Sequence, residues 1–178
     1  MIVYNDIKRQ FVNDVKDNSI ADKILEAIKM RGLNAGHEKE YSSWQNSMQF
    51  MRNIVDDSDI DDEVRICIEY NIPLTSKRVD FIIAGADNYG KDNIVIVELK
   101  QWQKAEVVAD DMHYCVRTYV ANSDRIVCHP SYQAYSYSCF LRNYSQSLTD
   151  EDISLIPCAY LHNYQPEYRQ TLSNPIYK

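Results

Sequence analysis

Glycine and proline are scarce in this chain, 4 and 5 among 178 residues, which excludes collagen-like repeats and argues against a flexible or low-complexity tract. No apolar run approaches the roughly 18 residues of a membrane span, and the opening MIVYNDIKRQ mixes acids and bases where a secretory leader would be apolar. The expectation is a soluble protein with no membrane association. Basic residues are also short: 19 Lys and Arg face 26 Asp and Glu, a net charge of −7, so bulk electrostatics repel nucleic acid and anionic membranes. Five cysteines (Cys67, Cys115, Cys128, Cys139, Cys158) form an odd set without C-x-x-C spacing, each in an apolar stretch. That pattern argues against a disulfide framework or a cysteine-held cluster and fits buried free thiols in a reducing, cytoplasmic setting. The phosphate-cradling G-x-x-x-x-G-K-[ST] loop is missing, so no ATPase of that kind is expected.

What is present suits one globular domain over residues 1–178, since 45% of the chain is hydrophobic and 25% charged. At this length roughly 70% of the unfolded chain's surface can be buried without staples. Helical spacing predicts a short helix around Ile7, Phe11, Val12 and Val15, and another through Ile20, Ile24, Leu25 and Ile28, with Gly32 where a C-cap would sit. A longer helix is expected over 38–55, its apolar stripe being Trp44, Met48, Met51 and Val55. The period then changes to that of strands, at 64–72, 78–84 and 94–100, read as an antiparallel meander apolar on both faces. Short strands at 115–120 and 125–128, a helix opening at Pro130 and running to about 144, and a strand at 153–161 follow. Pro157 assigns that last strand to an edge or bulge. The fold class is α/β, a central mixed sheet flanked by helices, with a core over about 20–164. Residues 165–178 are polar with two prolines and read as the start of a linker or next element.

The informative residues are polar ones inside apolar patterns. In IVIVELK, alternation puts Ile94, Ile96, Glu98 and Lys100 on one face. Aligning 79–84 against 94–99 across the intervening loop sets Asp80 opposite Glu98, with Cβ atoms about 4.5–5.5 Å apart. Like charges so placed destabilise a sheet unless a cation joins them, and hard oxygen donors suit Mg²⁺ or Mn²⁺. Asp80 is equally placed to make an ordinary ion pair with Lys77, Arg78 or Lys100 near the strand ends. The stripe of the long helix extends backwards to Glu40, which also suits a first-turn acid. That of the later helix extends to Gln133, an i, i+4 neighbour of Tyr137, which also suits a satisfied core pair.

Helix with Glu40, strand with Asp80, strand with Glu98-x-Lys100, helix with Gln133-x-x-x-Tyr137: this order resembles the PD-(D/E)XK nuclease superfamily, in its RecB-like branch with the Q-x-x-x-Y helix, over roughly residues 38–140. EYSSWQNSM, IEYNIPLTSKRVDFIIAG, IVIVELKQW and HPSYQAYSY look like the N-terminal nuclease-like domain of bacterial proteins that carry a superfamily 1 type helicase domain. Val79 stands where that motif has proline, which leaves the ligand in place. The resemblance implies a restriction-endonuclease-like core and a Mg²⁺- or Mn²⁺-dependent nuclease acting on DNA with a helicase domain in cis or in trans. It implies that Asp80, Glu98 and the Leu99 carbonyl hold the metal, with Glu40 completing its shell. Lys100 would orient or activate the attacking water, and Gln133 and Tyr137 would position the substrate strand or the lysine. Gln101, with Trp102, would touch substrate, Lys77 and Arg78 would add charge beside it, and Glu69 is a reserve acid. Two rivals stand beside the enzyme: a catalytically silent nuclease-fold module that binds nucleic acid or docks a partner, and a metal-free α/β interaction domain.

Other candidates fail on their own chemistry. Asp57-x-Asp59-x-Asp61 opens like an EF-hand loop, but Asp62 replaces the required Gly and Ile68 the bidentate Glu. His37, His113, His129 and His162 have no zinc spacing and read as solvated or capping residues. The fourteen tyrosines read mostly as interfacial core. Six of the 26 acids fall between Asp56 and Glu63, which leaves 20 acids against 19 bases elsewhere. Nucleic-acid binding by this domain alone is therefore expected to be weak and salt-sensitive, not forbidden.

Overall fold

The computed structural model describes residues 2–32, 38–108 and 112–177. His37 lies outside them. The chain opens with strand β1 (Tyr4–Ile7) and helices α1 (Lys8–Lys16), α2 (Ile20–Met30) and α3 (Glu38–Val55). The meander β2 (Arg65–Asn71), β3 (Arg78–Ala86) and β4 (Asp92–Lys100) follows. Next come β5 (Glu106–Val107), β6 (Cys115–Val120), β7 (Ser123–Cys128), α4 (Pro130–Tyr144), α5 (Gln146–Asp150), β8 (Ser154–Leu161) and α6 (Arg169–Leu172). The main sheet has the order β1-β2-β3-β4-β8. Its first four strands are antiparallel neighbours, while β8 runs parallel to β4. A parallel pair needs a long crossover, and here it comprises a second sheet, β5-β6-β7, and α4.

Strands apolar on both faces require cover on both. Helices α1 to α3 supply one layer, in which Phe11, Val15, Ile24, Met48 and Met51 pack on Ile66, Ile68, Phe81 and Val97. Tyr137 and Leu141 of α4 supply the other, over Cys67, Val79, Ile82 and Ile96. Asp14, on the buried face of α1, accepts from Tyr4, Gln10 and Lys23 at 2.9, 2.7 and 2.8 Å. The acidic loop is tied down by bases of α1: Lys8 to Asp62 and two backbone carbonyls, Arg9 to Glu63, Lys16 to Asp56.

Several expectations change. Ile7 belongs to a strand, and β1 with α1 is part of the core, which reaches well before residue 20. A short amphipathic run carries too few repeats to separate period 2 from 3.6, and pairing with β2 decides it. Strand β8 lies at the sheet edge, as Pro157 requires, so Ile156 and Cys158 are exposed. Of the five free cysteines only Cys67 is fully buried. Residues 165–177, far from starting a linker, fold as α6 flanked by single 3-10 turns at Pro166–Tyr168 and Pro175–Tyr177. Leu172 and Tyr177 pack on Trp102, Ala105 and Val116 of the small sheet.

His129 ties this segment to α4. Its Nδ1 accepts from the Ser131 N–H (3.2 Å) as the helix N-cap, which leaves Nε2–H to donate to the Leu172 carbonyl (3.2 Å). Both bonds need the neutral ring, and burial holds its pKa below the ordinary 6.5. A depressed pKa contributes stability that is complete above pH 6.5 and lost as pH falls below it. Protection of the amides in residues 172–177, taken relative to their intrinsic exchange rate, is therefore expected to fall as pH drops below 6.5. With His129→Asn, which caps without titrating, that loss should vanish.

Candidate active site

Strands β3 and β4 pair from Ala86↔Asp92 to Phe81↔Val97. One step further, the same register sets Asp80 opposite Glu98, but the ladder has opened. Asp80 Oδ2 instead accepts the Leu99 N–H at 2.8 Å, a side chain doing a carbonyl's work. The β2–β3 ladder is interrupted at the same level: Ile68↔Phe81 and Tyr70↔Val79 are paired, with Glu69 between them at φ 55. Two strands thus release backbone where acids need room.

Glu98 is the most deeply buried acid there, 2% exposed. Its Oε1 accepts from Lys100 Nζ at 2.5 Å and from Gln133 Nε2 at 2.7 Å. The second proton of that amide goes to the Tyr137 hydroxyl oxygen at 2.7 Å. Oε2 of Glu98 is buried too, and no N–H reaches it; the group hydrogen-bonded to Glu98 from β3 is the Asp80 carboxyl. Asp14, a buried carboxylate remote from the site, has three donors, whereas the buried oxygens lacking one among the described residues are Oε2 of Glu98 and Oε2 of Glu69, both here.

Burial, and next the Glu98 charge, push the Asp80 pKa up to about 7, against the pull of the Leu99 N–H and Lys100. Burial also raises Glu98, with Lys100 opposing. Two acids against one ammonium therefore keep a proton near neutral pH, where a cation would otherwise sit. Burial and the Glu98 charge push Tyr137 up to about 12, so it stays a neutral phenol.

A cavity of about 190 Å³ opens on the α3 side of Asp80, with Glu40, Ser43, Trp44 and Glu69 in its wall. Glu40 and Glu69 are both paired with Arg78, at 3.2 and 3.1 Å. Trp44 donates its indole N–H to Glu69 Oε1 at 2.8 Å.

Asp80, Glu98, Leu99, Lys100, Gln133 and Tyr137 therefore come together. Gln133 and Tyr137 hold Glu98, and Lys100 lies 5.5 Å from the Trp102 ring. Glu40 is bound to Arg78, which gives Nη2 to Glu40 and Nε to Glu69. Gln101 faces α3, donating to Ser43 Oγ at 2.7 Å and Ser47 Oγ at 3.1 Å, so it clamps the end of β4 to the helix. Trp102 sits in the core of the small sheet. Lys77 lies over the Tyr137 and Phe140 rings, at 5.8 and 5.7 Å. Glu69, a reserve by its place in the pattern, is more buried than Glu40. Nothing in RICIEYNI announces the left-handed backbone that turns it toward α3, nor the serines that receive Gln101.

Among the described residues no three His, Cys, Asp or Glu side chains gather so as to hold an ion. What is present is a carboxylate pair with an unpartnered buried oxygen. A hard cation that takes one or two carboxylates and keeps several waters fits such a donor set. Compared with protein-family models, curated proteins and solved structures, the chain matches none. No helix among the described residues is long and apolar enough to cross a membrane.

Proposed function

We propose that this chain is a metal-dependent nuclease of the PD-(D/E)XK type, hydrolysing phosphodiester bonds in DNA and working with a helicase domain in the same or another chain. The observation that carries the reading is the buried pair Asp80 and Glu98: no N–H reaches Oε2 of Glu98, and the two carboxyls have to share a proton when no cation lies between them. Supporting it is the order of elements: α3, the β2–β4 meander, α4, then β8 parallel to β4, as a restriction-endonuclease-like core would have. A reducing, cytoplasmic setting belongs to the same reading, since all five cysteines are free.

Asp80, Glu98 and the Leu99 carbonyl would hold Mg²⁺ or Mn²⁺. Bound there, the ion supplies charge stabilisation at the phosphoryl oxygens and a bound water of lowered pKa. The rest is done by the protein. Gln133 fixes the Glu98 carboxylate, so that Oε1 is occupied and Oε2 faces the ion site. Tyr137, neutral and accepting from that amide, locks Gln133 in turn. Lys100, held by Glu98 and the Trp102 ring, keeps an ammonium where a water or a phosphate oxygen needs a proton donor.

The test is incubation of the full chain with single- and double-stranded DNA and Mg²⁺ or Mn²⁺. Cleavage is expected, lost with chelator and with Asp80→Asn. Cleavage undiminished in Asp80→Asn rejects the assignment. Mn²⁺ binding without cleavage of any DNA favours the silent nuclease-fold module instead.

A further inference from the structure

We propose that Arg78 is a built-in cation: its guanidinium occupies, between Glu40 and Glu69, the place of a second divalent ion beside Asp80, so that the centre takes one ion and not two. The identity of the first ion's site rests on the nuclease reading; the role of Arg78 rests on its own contacts.

Arg78 reaches Glu40 Oε1 through Nη2 at 3.2 Å and Glu69 Oε2 through Nε at 3.1 Å. The second contact is one of charge, since Oε2 of Glu69 accepts no hydrogen bond. Glu69 is only 7% exposed, and burial lifts its pKa while Arg78 opposes that lift. Its orientation is imposed. Strand alternation would point residue 69 toward α4, beside Cys67, but φ 55 turns the carboxylate to α3, where Trp44 and Arg78 meet it. A left-handed non-glycine residue persists only where its surroundings overdetermine it. Here they deliver an acid to a cavity that Asp80 also lines, and Asp80 and Glu40 both push on it electrostatically.

Charge counting agrees with one ion in the presence of Arg78. Asp80, Glu98, Glu40 and Glu69 carry four negative charges when ionised, and Lys100 and Arg78 return two. The remainder is what one divalent ion neutralises. Removing Arg78 leaves one negative charge beyond the first ion and frees Glu69 and Glu40, which with Asp80 would be the oxygen donors of a second ion. With the guanidinium between them, Glu40 and Glu69 cannot close on a common ion, in keeping with the lack of any three-acid group among the described residues.

The experiment is Mn²⁺ binding to the full chain, counted by calorimetry and by the electron paramagnetic signal of free Mn²⁺. Wild type should take one ion, Arg78→Gln two, Arg78→Lys one, and Arg78→Gln combined with Glu69→Gln one again. Two ions in wild type, or a folded Arg78→Gln variant that binds no more ions than wild type, overturns the proposal. If Arg78→Gln folds poorly, its melting temperature should rise more on adding Mn²⁺ than that of wild type; an equal or smaller rise counts against it. No ion in wild type but one in Arg78→Gln would reject the nuclease reading and leave the role of Arg78 standing.

Discussion

Glu98→Gln is expected to make the metal-free protein more stable while abolishing the proposed nuclease activity. The glutamine keeps an oxygen for Lys100 and Gln133, and its amide gives the Asp80 carboxylate a donor in place of a second negative charge. One acid and one ammonium then remain where two acids shared one. Relief of a buried like-charge contact is worth about 1 kcal/mol, or about 2–4 °C in melting temperature for a chain of this size. Activity should fall at least as far as the roughly 10²–10³-fold seen when a single transition-state donor is removed. The pH dependence separates this from general stabilisation. A carboxyl whose folded pKa is raised contributes stability that is full below its unfolded pKa and lost as pH rises through the folded one. For Asp80 that window runs from 3.8 to about 7, and Glu98 is raised in the same sense. The melting temperature of the variant should therefore exceed that of wild type by a margin that widens from pH 4.5 to 7.5. Saturating Mn²⁺ should close the margin, because on the proposed reading only wild type has the second carboxylate that the ion needs. A margin independent of both pH and Mn²⁺ would show that the pair is not an ion site.

Phe11→Ala is expected to cost about 3–5 kcal/mol, a large share of the roughly 5–15 kcal/mol that holds a domain together. Phe11 is fully buried and meets Phe81 of β3 edge-to-face, with ring centres 5.3 Å apart, and Tyr4 of β1 at 6.4 Å. Urea unfolding should show a lower midpoint with an unchanged slope. A loss below about 1 kcal/mol, the level of a surface substitution, would mean that the first sixteen residues are an appendage. The position matters for chemistry as well, since Phe81 is the last paired residue of β3 before Asp80.

How much of this was legible in the sequence depends on range. The 38–55 and 130–144 helices follow from long 3.6-period stripes and from proline at the start of the second, and both hold to the residue. The register that sets Asp80 against Glu98 was legible because the apolar runs 79–84 and 94–99 are of equal length across one loop, and the Phe81↔Val97 to Ala84↔Ile94 pairs follow that alignment. Gln133 and Tyr137 were visible as polar residues heading a buried stripe, but their target, the Glu98 carboxylate, was not. Strand β1 was hidden by a four-residue length that carries no clear period. The closing role of 165–177 was hidden because few scattered apolar residues, Leu172 and Tyr177 chief among them, do the packing.

The net charge of −7 shows the same division. Sequence alone determined its size and its concentration between Asp56 and Glu63. Only the fold decided that several of those acids answer to Lys8, Arg9 and Lys16, and that Glu40 and Glu69 answer to one arginine. Sequence likewise determined which residues alternate into the sheet and which line the helices, because period is a local property of the backbone. Which acids share a proton, which are neutralised and which oxygen is left without a donor are matters of distances between elements remote in the chain. Those distances exist only once both faces of the sheet are covered.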